Sequence, residues 1–385
     1  MKSTMPCGLT RGTMGAVVLA LLGCGGASMT ATDPNNPLPD ASTATDMAGQ
    51  PTPDPIRTCM QQTLPRLTVS GNQLQISCNG QLMAARLKGI NRSGLQHKNG
   101  LQLAGFGSDP VPELKAWRDT WKAVVVRIPL GQTYYNYYPA YRADIATLVA
   151  AAKGLGMYVM LELHGYDANN LNEAQPDPSS TPMFWGDVAK QFGGETHVIF
   201  DIWNEPWGVD WATWKGNAVK IIQSIRAAGA SDTLIVVGGL DYAYDLSALL
   251  TPSNRITGMG PIIYATHPYP LKSSPPSMAP EWDAKFGSVA QQVPVIVGEY
   301  GVDDSGTSPY GLGNKATAHA WMTQLHTYID AHQLSALAWS AGDEPQVALG
   351  KNGGGVSLPA NPPDPARPTD PFGVDVKAWM IKPLM

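Results

Sequence analysis

Cysteine is scarce in this chain. There are four in 385 residues, with no Cys-x-x-Cys pair and no Cys/His cluster at ligand spacing, which argues against a structural metal. Blocks of basic residues are also missing. The 26 Lys and Arg are scattered among 31 Asp and Glu, for a net charge of −5, so neither nucleic acid nor an anionic membrane surface is an expected partner. No apolar run approaches the ~20 residues a membrane-spanning helix needs; the run Gly15 to Leu22 is far shorter. Phenylalanine is down to six, against 11 Trp and 14 Tyr. Trp and Tyr join a flat apolar face to a polar tip, which suits stacking on sugar rings as well as core packing.

What is present begins with an export signal. Lys2 and Arg11 precede the short apolar stretch Gly15 to Leu22, the layout of a signal peptide. It ends Leu21-Leu22-Gly23-Cys24, which resembles a bacterial lipobox, so Cys24 is the expected lipidation site and new N-terminus. Residues 25–55 contain Pro34, Pro37, Pro39, Pro51, Pro53 and Pro55 and no Lys or Arg. Such a segment buries little apolar area and reads as an extended tether. The expected organisation is therefore a leader over 1–23, a lipidated tether over 24–58 and a catalytic unit over 59–385. Membrane contact is expected only through the lipid anchor. The expected location is the cell surface or periplasm, or free secretion, and the expected state is a monomer. Cys59 and Cys78 remain as a pair flanking a short β-like segment. In an exported protein they form either a disulfide or two buried thiols, with the first favoured.

From residue 85 onward short apolar runs alternate with helical patterns. The strand candidates are Arg86–Asn91, Val124–Pro129, Tyr158–Leu163, Val198–Trp203, Leu234–Gly238, Ile262–Thr266, Val293–Val297 and Leu334–Trp339. Tyr141–Leu155, Trp211–Ala228 and Lys315–Ala331 carry helical spacing between them. Near-continuous Val/Ile/Leu strands, each followed by a helix, specify a buried parallel sheet. Eight such units predict an α/β fold of the (β/α)8 TIM-barrel type, preceded by a short N-terminal β-hairpin. An open doubly wound sheet is the competing architecture, but it wants a Gly-rich phosphate turn after its first strand. Gly89-Ile90-Asn91-Arg92-Ser93-Gly94 is not one. The Gly/Pro-rich stretch 341–371 follows the last strand and is expected to wall the cleft. An aromatic patch, Tyr134-Tyr135-Asn136-Tyr137-Tyr138, follows the second.

Polar residues gather where the strands end. The fourth strand ends Asp201-Ile202-Trp203-Asn204-Glu205-Pro206 and the seventh ends Val297-Gly298-Glu299. The second carries Arg127, the third ends Glu162-Leu163-His164, the sixth His267-Pro268-Tyr269 and the eighth Trp339. A carboxylate at the end of an apolar strand is costly to bury unless paired. Carboxylates on strands four and seven face each other across a barrel mouth. That is what retaining glycoside hydrolysis requires: one carboxyl to protonate the leaving oxygen and another, about 5 Å away, to attack the anomeric carbon.

With these residues the sequence resembles glycoside hydrolase family 5, a retaining-barrel family of many cellulases and mannanases. The resemblance runs over roughly residues 65–385. It rests on Leu87-Lys88-Gly89-Ile90-Asn91, Arg127, His164, Asn204-Glu205-Pro206, His267-Pro268-Tyr269, Glu299 and Trp339 in that order. It implies Glu205 as general acid and then base, and Glu299 as nucleophile. Arg127 and Tyr269 would keep Glu299 ionised, Asn204 would donate to the sugar 2-hydroxyl, and His164 and His267 would orient sugar or carboxylates. Trp339 would floor the cleaved subsite, while His97 and Trp207 are further sugar-contact candidates. Glu162 stands where Asp is commoner in the family. No cofactor and no metal are implied. The implied activity is endo-cleavage of β-1,4-glucan, with a β-linked polysaccharide or oligosaccharide as the partner. A β-mannanase or another β-glucan hydrolase on the same framework, a surface-tethered sugar-binding pseudoenzyme and a metal-dependent barrel hydrolase using His164, Glu205 and His267 are the competing readings. The last lacks the His-x-His pair expected on its first strand.

Overall fold

The computed structural model describes residues 54–167, 173–273, 276–305, 310–342, 350–351 and 364–384. The leader, Cys24, most of the tether and most of the stretch after the eighth strand lie outside these residues. Pro53–Met385 behaves as one compact unit.

The described chain starts with a helix, α1 (Pro55–Thr63), capped by Asp54, whose carboxylate accepts from the backbone N–H of Ile56 and Arg57. Composition had assigned 54–58 to the tether; Pro at the first helical position and Asp before it are in fact a helix start. Next comes a three-stranded antiparallel sheet rather than the expected hairpin: β1 (Thr68–Ser70), β2 (Gln73–Cys78) and β3 (Gln81–Ala84). The extra strand follows from Asn79-Gly80, both at positive φ. That dipeptide favours the two-residue turn matching strand twist. Cys59 and Cys78 are joined in a disulfide between α1 and β2.

Eight parallel strands close into the barrel: β4 (Lys88–Asn91), β5 (Val125–Gly131), β6 (Tyr158–Gly165), β7 (Val198–Asp201), β8 (Ile235–Gly238), β9 (Ile262–Thr266), β10 (Val295–Val297) and β11 (Ser335–Ala338), with β11 pairing back onto β4. Every predicted strand is present. The (β/α)8 fold is complete, with α2 (Val111–Trp121), α3 (Gln132–Tyr137), α4 (Pro139–Gly154), α5 (Ser180–Phe192), α6 (Trp211–Ala227), α7 (Lys315–Ala331) and α8 (Phe372–Met380) as its principal helices. Side chains alternate across each strand, and the core divides accordingly. Val126, Ile128, Val159, Leu161 and Phe200 pack in the outer layer with the helices, whereas Val125, Met160, Ile199, Val236, Ile263, Ile296 and Leu337 form a separate cluster. The same alternation brings Arg127, Glu162 and Asp201 to the end of the inner set, one step above Val125, Met160 and Ile199.

Of the 341–371 stretch, Gly350–Lys351 and Asp364–Pro368 pair antiparallel; residues 343–349 and 352–363 lie outside the described residues, and with them most of the expected cleft wall. Among the described residues no helix is long and apolar enough to cross a membrane.

Candidate active site

Arg127 organises the barrel mouth. It is fully buried, and its guanidinium donates to Asp201 Oδ2 at 2.8 Å, Asn91 Oδ1 at 2.8 Å, Glu299 Oε1 at 2.6 Å and Asn204 Oδ1 at 2.9 Å. Glu162 Oε2 stands 3.7 Å from its Nη1. Burial favours loss of the guanidinium charge, but the charges of Glu162, Asp201 and Glu299 outweigh it and raise the pKa. The planar fork serves several acceptors at once, which an ammonium cannot do.

Glu299, two residues past β10, is almost wholly buried and both its oxygens are engaged. Oε1 takes the Arg127 bond, and Oε2 accepts from the Tyr269 hydroxyl at 3.0 Å. Glu205, four residues past β7, meets a different setting. Its side chain is a quarter exposed, and Oε1 lies 2.9 Å from Nδ1 of His267. Desolvation raises its pKa, opposed by the positive charges of Lys272, His164 and Arg127. The same Nδ1 is 3.7 Å from Glu299 Oε2. Glu205, His267 and Glu299 present donor atoms all within 4.8 Å of one another. The two carboxylates therefore face each other at the separation a retaining mechanism uses.

Burial drives the His267 pKa down to about 3, so the ring is neutral. His164 goes the other way. Burial disfavours its charge, but Glu162, 3.1 Å from Nδ1, more than offsets this and lifts the pKa to about 9. Its ring stacks on Trp339 with centroids 5.6 Å apart. Trp339 is buried at the mouth. Asn204 points its carbonyl oxygen at Arg127, which leaves the amide N–H groups for another acceptor. Trp207 stacks on Tyr242, with centroids 5.4 Å apart and planes at 14°.

The structure thus brings together Arg127, His164, Asn204, Glu205, His267, Tyr269, Glu299 and Trp339. His97 lies exposed on the loop after β4, where its carbonyl accepts from the Tyr134 hydroxyl at 2.9 Å. Sequence reasoning missed Asp201 as a partner of Arg127, although a carboxylate inside an apolar strand is itself a sign of a buried cation. It also missed Tyr242 and Lys272, which stand on loops whose course no periodicity reveals. The Glu205–His267–Glu299 trio is the one candidate metal-binding group among the described residues. Arg127 and Tyr269 already occupy both Glu299 oxygens, and an ion there would fill the space between the carboxylates that a reacting sugar carbon needs.

A parallel barrel with two opposed carboxylates at the C-terminal ends of its fourth and seventh strands defines the class: a glycosidase-type (β/α)8 fold. The chain belongs to the cellulase family, glycosyl hydrolase family 5, whose model matches residues 85–345. It is similar to an endoglucanase of Microbulbifer sp., 26% identical over 72% of this chain and 51% of that relative. It is also similar to endoglucanase Z of Dickeya dadantii, 33% identical over 34% of this chain and 30% of the relative. The chain spans about half the length of three of the curated relatives it matches, an endoglucanase of Microbulbifer sp. among them. Among solved structures, the fold is shared with the β-glucanase SdGluc5_26A of Saccharophagus degradans in complex with cellotetraose (TM-score 0.63, 21% identity, 87% of this chain and 98% of that one). It is also shared with the catalytic domain of Thermobifida fusca endoglucanase Cel5A (TM-score 0.63, 19% identity, 86% of this chain and all of that one).

Proposed function

We propose that the protein is a retaining, endo-acting β-1,4-glucanase. The observation that carries this reading is the pairing of Glu205 and Glu299, whose nearest donor atoms lie within 4.8 Å across the barrel mouth. Glu205, whose pKa is raised by desolvation, gives its proton to the glycosidic oxygen as the bond to the anomeric carbon breaks. Glu299 attacks that carbon from the opposite face and forms a glycosyl ester. In the second half, water attacks the anomeric carbon, Glu205 takes the water proton, and the ester bond to Glu299 breaks. The free amide N–H of Asn204 is suited to the sugar 2-hydroxyl, and Arg127 and Tyr269 hold the nucleophile in line. The endo mode and glucan preference draw on the endoglucanase names of the relatives and the cellotetraose bound to the Saccharophagus protein.

The deciding experiment is inactivation with a 2-fluoro glycoside followed by peptide mapping. A label on Glu299 with a gluco-configured reagent supports the reading, and a label elsewhere ends it. Loss of carboxymethylcellulose viscosity ahead of reducing-end release reports endo action. Faster cleavage of mannan than of glucan would transfer the proposal to a β-mannanase. Undiminished activity after exhaustive chelation separates this chemistry from metal-dependent hydrolysis.

The N-terminal reading, export and lipidation at Cys24, is proposed alongside it. The disulfide between Cys59 and Cys78 is compatible with an oxidising compartment. Incorporation of labelled palmitate that disappears in Cys24→Ser tests it. A monomer is the proposed state, tested by light scattering.

A further inference from the structure

Directly after β8, three consecutive non-glycine residues hold left-handed backbone: Asp241 at φ 55°, Tyr242 at 57° and Ala243 at 58°. Each such residue costs on the order of 1–2 kcal/mol, so the run persists only where its surroundings over-determine it. Here they do. Gly239 and Leu240 bridge back to Ala243 and Asp245. The Tyr242 N–H donates to the Pro206 carbonyl at 3.2 Å, and the Ala243 carbonyl accepts from the His267 N–H at 3.1 Å. Pro206 is the residue after Glu205, and His267 is the ring hydrogen-bonded to Glu205. The strained turn therefore grips both neighbours of Glu205.

Lys272 fastens this turn. Its Nζ donates to the carbonyls of Asp241 at 3.0 Å and Tyr242 at 3.3 Å, two of the three left-handed residues. It also lies 5.0 Å from the Tyr242 ring centroid and 5.8 Å from that of Tyr244. Nothing in the double displacement itself calls for this lysine.

We propose that Lys272 is a positioning residue for Glu205, pinning the Asp241–Ala243 turn in the conformation that braces the acid and adding a positive charge beside it. The inference rests on the reading of Glu205 as general acid. The charged groups facing Glu205 are Lys272, His164 and Arg127 on one side of the balance and Asp241 and Glu299 on the other, with His267 neutral beside it. Of the charges, Lys272 acts most strongly, offsetting part of the rise that burial imposes on the Glu205 pKa.

The test compares wild type, Lys272→Met and Lys272→Arg on soluble β-glucan and on 2,4-dinitrophenyl β-cellobioside, whose leaving group needs no proton. With Lys272→Met, kcat on glucan should fall roughly 10-fold or more through misplacement of the acid. The loss of kcat/KM on the dinitrophenyl substrate, which reports the first step alone, should be much smaller. The basic limb of the kcat/KM profile should move to higher pH, because the acid keeps its proton longer without the neighbouring cation. Lys272→Arg should leave that limb in place. In the background Asp241→Gly with Ala243→Gly, glycine takes positive φ at little cost and the pin matters less. There Lys272→Met should lose far less kcat, and this background also carries the test if Lys272→Met alone does not fold. Equal losses on both substrates with an unmoved basic limb would assign Lys272 to folding alone and overturn the proposal. A wild-type protein that cleaves neither substrate overturns the hydrolase reading beneath it, which is a distinguishable result.

Discussion

Arg127 Nη1 and Glu299 Oε1 lie 2.6 Å apart inside the barrel mouth, and the same guanidinium holds Asp201 and Asn204. Removing one partner of a buried ion pair leaves uncompensated charge, typically at a cost of about 3–5 kcal/mol. Arg127→Met strands three carboxylates. It should lower the unfolding free energy in urea by that order and abolish measurable turnover. Arg127→Lys keeps the charge but not the fork. It should recover part of the stability and little of the activity, so the separation of the two losses is the diagnostic result.

The two glutamates should fail in different ways. Glu299→Gln removes the nucleophile, and turnover should vanish on every substrate while glucan binding survives, as read by affinity electrophoresis. Glu205→Ala should slow glucan cleavage by about 10²–10⁴-fold, the usual worth of general acid–base assistance. It should spare the first step on a dinitrophenyl glycoside. Added azide should then accelerate turnover of that ester and yield a glycosyl azide of retained configuration. Inverted product would contradict double displacement.

Stability should respond to pH through the histidines, with opposite signs at the two ends of the range. His164 is raised to about 9 in the folded state from an ordinary 6.5. Its contribution is fully present below pH 6.5 and disappears as pH rises through 9, so the stability gap between wild type and His164→Gln should close over that interval. His267 and His326 are depressed to about 3 by burial. The unfolded chain binds protons there that the folded one refuses, so stability falls as pH drops from 6.5 toward 3. Urea midpoints across pH 3 to 10 check both slopes.

The barrel was legible in the sequence because its strands are buried on both faces. Runs such as Val124–Pro129 and Tyr158–Leu163 stand out whatever their tertiary partners, and strand parity already set Glu162 and His164 on one face. Glu205 and Glu299 were legible for a related reason: a carboxylate at an apolar strand end needs a purpose. The partners were harder. Asp201 was hidden within the fourth predicted strand, because its burial beside Arg127 depends on the register of β5, β6 and β7, which no single strand encodes. Lys272 and Tyr242 depend on a left-handed turn built from Asp, Tyr and Ala, residues with no local preference that announces it. The third N-terminal strand was different, since Asn79-Gly80 is a strong two-residue turn signal that makes Gln81–Ala84 readable from the sequence.

The disulfide supplies a prediction that separates stability from chemistry. Cys59 and Cys78 are 19 residues apart, and closing a loop of that length constrains the unfolded chain by about 3 kcal/mol. The bond ties α1 to β2. Met60 of α1 and Ile76 of β2 pack in the cluster that also holds Ile199 and Ile296, while Arg127 and Glu299 sit at the other end of the strands. Arg57 also donates to the carbonyls of Met380 and Lys382, and Asp54 accepts from the Leu384 N–H, bonds that do not involve the sulfurs. Cys59→Ser should therefore lower thermal stability by an amount of that order, seen as a reduced Tm, while kcat and KM at 25 °C stay at the wild-type values. A change in kcat without a change in Tm would mean that α1 and the sheet beneath the barrel reach the carboxylates through the strands, contrary to the layered packing seen here.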